Sequence, residues 1–363
     1  IMSHQEGLKS LADVKLIQPL ENIMNVSGIR FEMSDYANAL SQYAYLGTDT
    51  LYSVPSDAQS VMVLYNKDVL KACGYDKLPE NHDELVTLCT AAKNQNYTPI
   101  AWSTSFEQFQ SYVFVTALLQ NGAELYNPNG YRAEWVSNPQ NKKAFENTMQ
   151  SIRDLTNVSP ADDTTANILN KFLNNEALFY VAAPWNMSSV LTAYINNNKD
   201  LGIESVDNLA EHIGGTSMAN WFALDKTATY ANVIYGDAHF FAMTKAVTDV
   251  TKKAAILEFI KWFTQNSSIS ATWGETGHIS LYSSTIESAE YNANAYMKNY
   301  VTKFYPDINN FRCTGNTPYF KDLRTYLGQI IITALNKTNT LDDGSIMKYN
   351  QDKYNEQVDF SNM

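Results

Sequence analysis

Ala177 to Ser189, A-L-F-Y-V-A-A-P-W-N-M-S-S, is the stretch whose residue types and spacing best fit a chemical task. An apolar run of strand length stops at Pro184. It delivers the indole of Trp185 beside the amide of Asn186, at the kind of strand end where α/β folds bind ligands. A flat apolar ring next to a hydrogen-bonding group matches a sugar, which offers a C–H face to stack on and hydroxyls to bond. Nothing in the segment activates a nucleophile, so it reads as a recognition device.

Catalytic patterns are absent elsewhere. There is no G-x-S-x-G elbow, no G-x-x-x-x-G-K-[ST] loop, no G-x-G-x-x-G turn and no H-E-x-x-H helix. The histidines are His4, His82, His212, His239 and His278, and no sequence neighbour makes any of them a metal ligand or an activated base. His4, His82 and His212 read as surface or capping residues. The adjacent carboxylates Asp162 and Asp163 read as a helix cap placed in the favourable dipole field of a first turn. Cys73, Cys89 and Cys313 cannot all pair within one chain and lack zinc-type spacing, so neither a disulfide framework nor a metal site is expected. No cofactor is called for. Glycoside hydrolysis needs only two carboxylates that the fold brings together, which keeps a secreted glycoside hydrolase as an alternative. A glycan-binding adhesin is another.

Composition narrows the ligand further. The 26 Lys+Arg against 38 Asp+Glu give a net charge of -12, and no basic cluster interrupts it, so nucleic acid and anionic membrane surfaces are disfavoured. A neutral or cationic ligand fits better. The 23 Tyr outnumber the 16 Phe, as expected where rings must also hydrogen-bond. At 363 residues, 45% of them hydrophobic, the chain calls for a packed protein of two domains. No segment approaches the ~18 uninterrupted apolar residues of a membrane span.

The elements that must hold these residues alternate as an α/β protein requires. Val61–Leu64 is a buried-type strand, and Asn66 caps a helix over Lys67–Cys73 that Gly74 ends. Asn81 and Glu84 have capping-box spacing ahead of a stripe of Leu85, Leu88, Cys89 and Ala92. A strand follows at Thr98–Trp102, then a helix from Tyr112 to Asn121. Pro139 opens another helix that carries Phe145, Met149, Ile152 and Leu155. Asp200 to Tyr235 reads as irregular. A strand at Ala238–Met243 leads to the strongest helix, Thr251–Gln265, with Ala255, Ile256, Phe259, Ile260 and Phe263 on a wide apolar stripe and Trp262 beside it, read as packed and not ligand-facing. Beyond Tyr319–Leu335 the chain turns polar, and Asp342-Asp343-Gly344 reads as a turn.

The string V-P-S-D-A-Q-S-V-M-V-L-Y-N-K-D-V-L-K-A-C-G-Y, Val54 to Tyr75, resembles the family 1 extracellular solute-binding proteins of ABC importers, the group that includes maltose-binding protein. Leu78–Leu88, Ala177–Asn186, Gly236–Trp262 and Trp273–Ser284, the last with its Thr276-Gly277, fit in the same order. The resemblance spans roughly residues 1 to 335. Two departures accompany it: the family's strand, helix and strand ahead of the position of Ile1 are not in the chain, and its frequent Thr-Trp becomes Asn81-His82.

The resemblance implies an α/β, two-lobed periplasmic-binding-protein-like fold whose lobes are joined by a hinge of crossing segments and close around a solute. Residues 1–102 plus 236–305 would form the first lobe, and 103–235 plus 306–363 the second. The implied function is capture of a carbohydrate, a neutral oligosaccharide by charge, and its delivery to the permease of an ABC importer. Carried over position by position, Trp185 matches the ring that stacks on sugar and Asn186 a hydroxyl partner. Tyr112, Tyr319 and Phe320 match aromatic positions around the cleft. Asp237 and His239 lie where the chain returns to the first lobe, Trp102 lies at the first crossing, and Trp221 and Trp273 are looser candidates. A monomer outside the cytoplasmic membrane is implied, periplasmic or tethered as a lipoprotein by a cysteine ahead of Ile1.

Overall fold

A computed structural model of the protein describes residues 1–104, 109–161, 164–336 and 339–361. Its strands in chain order are β1 (Met2–His4), β2 (Ile17–Gln18), β3 (Ser53–Gln59), β4 (Met62–Asn66), β5 (Thr98–Ala101), β6 (Ala177–Ala182), β7 (Ile213–Thr216), β8 (Ile234–Tyr235), β9 (Asp237–Thr244), β10 (Ile279–Ser280) and β11 (Phe311–Arg312). The chain divides into two compact units, Ile1–Gln59 with Gly236–Phe320, and Ser60–Tyr235 with Lys321–Met363.

These boundaries differ from the sequence reading, which keeps 60–102 with the first lobe and 306–320 with the second. The segment V-P-S-D-A-Q-S-V-M-V-L looks like one strand, but it is two. β3 ends at Gln59, and after Ser60-Val61 the chain enters β4, which lies between β6 and β7 in the other unit's sheet. β5 runs parallel to β6, so the helix between β4 and β5 that carries Cys89 belongs there as well.

The first unit is built on β9. This strand pairs antiparallel with β1, β2 and β3, and β10 continues the sheet from β3. β3 is buried along its whole length although its sequence is mostly polar; side-chain hydrogen bonds satisfy Ser53, Ser56 and Asp57, while Gln59 Oε1 finds no partner among the described residues. Its register with β9 shifts between Pro55 and Asp57, a bulge that frees the ladder of a proline and re-aims Asp57.

The second unit's sheet runs β5-β6-β4-β7. β4 and β6 are antiparallel, with Met62 opposite Ala182 and Tyr65 opposite Phe179. β7 falls inside the tract expected to be irregular. It carries little strand signal because Gly214 and Gly215 have no side chains. Gly214 needs none: a Cβ there would sit 2.3 Å from the Tyr65 ring that fills the space.

Local signals hold well. Asn66 Oδ1 accepts from the Asp68 and Val69 amides at 2.9 and 3.0 Å, starting the helix Lys67–Ala72. Asn81 Oδ1 accepts from Glu84 N at 3.2 Å, while the Glu84 carboxylate reaches back to Glu80 N at 2.9 Å. Pro139 is the first residue of the helix Pro139–Val158, which buries Phe145, Met149, Ile152 and Leu155. Asp162 and Asp163 lie outside the described residues, and the helix Thr165–Leu173 is capped by Thr164, whose hydroxyl accepts from Asn167 N at 3.2 Å.

Three expectations are corrected. The helix Val250–Gln265 buries Leu257, Ile260 and Thr264, leaving Phe259 and Trp262 at 50% and 51% exposure. His82 is buried, with Nδ1–H donating to the Trp221 carbonyl at 2.8 Å. The polar tail forms the helix Asp343–Ser361, begun by Asp342, which accepts from Ser345 N at 3.0 Å.

Asn66 does more than cap. Its Nδ2 donates to Asn175 Oδ1 at 2.8 Å, and Asn175 Nδ2 donates to Asn198 Oδ1 at 2.7 Å. Asn66→Ala is therefore expected to cost about 1–2 kcal/mol, since it removes the cap and one of the two donors to Asn175 Oδ1, the Tyr194 hydroxyl being the other. A denaturant titration should show a lower midpoint with an unchanged slope.

Candidate functional site

Trp185 stands where the sequence places it. β6 is buried throughout, and the chain leaves it through a short turn, Pro184–Asn186, before the helix Met187–Asn197. Pro184 and Met187 are buried on either side, and they anchor a turn that holds the indole at 43% exposure. The neighbouring Asn186 side chain is also exposed and makes no capping bond. A large ring with a free face, on a rigid strand exit beside an amide, can stack on a ligand without unpacking the core.

The other tryptophans proposed in this unit do different work. Trp102 is 1% exposed, its Nε1–H donates to the Ser159 carbonyl at 2.9 Å, and its ring meets Phe109 edge-on. Trp221 is buried edge-on against Phe179. Both are packing residues, which corrects the sequence assignment. Tyr112 is buried too, its ring 5.9 Å from that of Tyr235. An aromatic residue type does not distinguish a stacking ring from a core ring. The apolar strand with a proline stop does, and it singles out Trp185.

In the first unit the structure gathers Asp237, His239 and Trp273, and it adds three residues that the sequence did not mark: His4, Asp57 and His278. The strand register is responsible. His4 on β1 lies opposite His239 on β9, and His239 lies opposite Asp57 on β3. Directly opposed residues share a face of a sheet, so these three side chains meet although they are far apart in sequence. β10 adds Ser280 opposite Asp57, and His278, two residues before it, emerges on the same side. Tyr319 and Phe320 are half-buried at the end of this unit.

Hydrogen bonds fix the arrangement. His239 Nδ1–H donates to Asp57 Oδ1 at 2.6 Å, and the other carboxylate oxygen accepts from Trp273 Nε1–H and from the Ser56 hydroxyl, both at 3.0 Å. His4 Nδ1 bonds Asp237 Oδ2, and Asp237 Oδ1 accepts from Ala238 N at 2.8 Å. The Thr276 hydroxyl donates to the Trp273 carbonyl at 2.6 Å, so at its 2.7 Å contact with His278 Nδ1 it accepts. His278 is thereby held with its proton on Nδ1 and its lone pair on Nε2. The rings form a row: His4 to His239 at 4.7 Å between centroids, His239 to His278 at 5.3 Å, and His278 to Trp273 at 5.2 Å.

Electrostatics follow from burial and contact. Burial alone would push the Asp57 carboxyl up, but the hydrogen bond and charge of His239 and the Ser56 hydroxyl together hold it below the usual carboxylate range. Burial pushes the His278 imidazole down, against the pull of Asp57. All three cysteines are free and buried, and burial, with Cys73 as a lesser influence, pushes the Cys89 thiol up to about 12. None has the character of a reactive thiolate.

The chain matches the family described as bacterial extracellular solute-binding protein over residues 1–299, and it belongs to that family. No curated protein matches it in sequence. Its fold is that of solved binding proteins. The cyclic alpha-maltosyl-1,6-maltose binding protein of Arthrobacter globiformis is 18% identical, with a TM-score of 0.72 over 98% of this chain and 83% of that one. The sugar-binding protein MalE of Xanthomonas citri is 14% identical, with a TM-score of 0.72 over 99% and 84%. UgpB of Mycobacterium tuberculosis, solved in complex with glycerophosphocholine, is 15% identical, with a TM-score of 0.70 over 100% and 84%. Among the described residues no helix is long and apolar enough to cross a membrane.

Proposed function

We propose that this solute-binding protein is a receptor for a neutral carbohydrate, which it captures outside the cytoplasmic membrane and hands to the permease of an ABC importer. The observation that carries this reading is the exposed Trp185 ring beside Asn186, on a rigid strand exit, in a chain of the solute-binding family. The ring supplies a stacking surface and the amide a hydroxyl partner.

Several relatives in fold carry sugar names, among them the maltosyl-maltose binding protein and MalE, while UgpB was solved with glycerophosphocholine. The Trp185 indole beside the Asn186 amide suits the C–H face and hydroxyls of a sugar, and the net charge of -12 disfavours an anionic one. The protein acts as a monomer held at the membrane surface by a lipid. Cys73, Cys89 and Cys313 are buried, so the lipid is carried by none of them.

Titration calorimetry with neutral oligosaccharides, the same sugars carrying a uronic acid, and glycerophosphocholine tests this reading. One neutral sugar binding at least tenfold more tightly than its acidic counterpart is the expected result. Binding of glycerophosphocholine alone would overturn the carbohydrate assignment. Chromatography of the recovered sugar should show it intact, whereas cleavage products would identify a hydrolase.

A further inference from the structure

We propose that Asp57, His239 and His278 form a binding site for a divalent transition-metal ion of the zinc type. One potential ligand atom from each of the three lies within 4.8 Å of the others, and all three residues are buried. Two imidazoles and one carboxylate make a donor set suited to a borderline-soft ion, with a fourth position left for water or another oxygen. The inference does not depend on the identity of the solute.

The surroundings are those of a metal site. The Thr276 hydroxyl accepts from His278 Nδ1–H at 2.7 Å, which orients the ring and leaves the Nε2 lone pair for a ligand bond. Trp273 and Ser56 both donate to Asp57 Oδ2 at 3.0 Å, fixing the carboxylate. The register of β3 with β9 and of β10 with β3 sets the three residues on one rigid sheet face. Tetrahedral ligands about 2.0–2.2 Å from an ion stand roughly 3.3–3.6 Å from one another, so binding draws together a cluster whose ligand atoms now lie within 4.8 Å. It also exchanges the His239–Asp57 hydrogen bond for metal bonds. Charge balance favours this: the ion offsets Asp57 and the nearby buried Asp237, whose partner His4 has its ring 4.7 Å from that of His239, tilted by 54°. His4 is half-exposed on β1 and marks the route by which an ion reaches the cluster.

The test is titration of the full chain, stripped with a chelator, with zinc chloride in calorimetry and cobalt chloride in absorption spectroscopy. We expect one ion per chain and a cobalt spectrum of tetrahedral type. His278→Gln should weaken binding at least a hundredfold, and Trp273→Phe, which removes a donor to a ligand, about tenfold. His212→Ala, at an exposed histidine paired with Asp68 elsewhere, should change nothing. Circular dichroism of each variant separates a lost site from a lost fold. Failure of the wild-type chain to bind either ion, or zinc affinity unchanged in a folded His278→Gln protein, would overturn the proposal.

Discussion

Trp185→Ala lowers the affinity for the cognate sugar at least tenfold, about 1.4 kcal/mol or more, and leaves the fold intact. The size follows from what the ring does. It is 43% exposed, so truncation opens no cavity in the core, and the loss falls on the ligand. A buried aromatic anchor at the centre of a binding surface is the residue whose removal costs most, and the ligand would complete that burial. An exposed substitution changes stability by ~0.5 kcal/mol or less, so the melting temperature should move by about 1–2 °C. Trp185→Phe should recover part of the affinity. Trp102→Ala makes the opposite pattern: that ring is fully packed, and its loss costs about 3–5 kcal/mol of stability. Calorimetry and a thermal melt on the two variants separate stacking from packing.

Asp57→Ala carries an effect on stability as large as that of Trp102→Ala. The carboxylate is 1% exposed and accepts from His239, Trp273 and Ser56. Removing it strands an imidazole, an indole N–H and a hydroxyl in a buried place, and breaking a buried pair from one side costs about 3–5 kcal/mol. The melting temperature should fall by roughly 10 °C or more. Lys348→Ala, at an exposed pair with Asp352 on the last helix, should cost ~0.5 kcal/mol or less. Unchanged stability in Asp57→Ala would show that the row of rings is not held by this carboxylate.

What the sequence reveals is what short-range physics determines. The caps at Asn66 and Asn81, the proline start of the helix at Pro139 and the buried strand before Trp185 each depend on residues a few positions apart, and each forms as expected. The unit boundary at Gln59–Ser60 is hidden because β3 and β4 are separated only by Ser60-Val61, and composition does not change where the chain passes from one sheet to the other. The polar character of β3 masks its burial, since Asp57 is made tolerable by partners from β9 and the helix Ser267–Gly274 as well as by its neighbour Ser56. β7 is hidden for a complementary reason: its glycines are required by Tyr65, a residue on another strand.

The candidate site divides along the same line. Trp185 is legible because its strand, stop and ring are contiguous. The cluster around Asp57 is not, because His4, His239 and His278 become neighbours only through the pairing of β1, β9, β3 and β10. A histidine with no informative sequence neighbour is silent until the register is known. The reading of His4 as a surface residue misses its bond to Asp237, and that of His82 misses its buried bond to the Trp221 carbonyl.

The most direct test of the receptor assignment is a thermal-shift screen against mono- and oligosaccharides, with products followed by chromatography. A ligand at a hundredfold its dissociation constant stabilises the folded protein by about 2.7 kcal/mol, an upward shift easily read. A shift with one family of neutral sugars, recovered uncleaved and abolished in Trp185→Ala, is the predicted result. A shift of the same size in Trp185→Ala, or no shift with any sugar while glycerophosphocholine gives one, would contradict it.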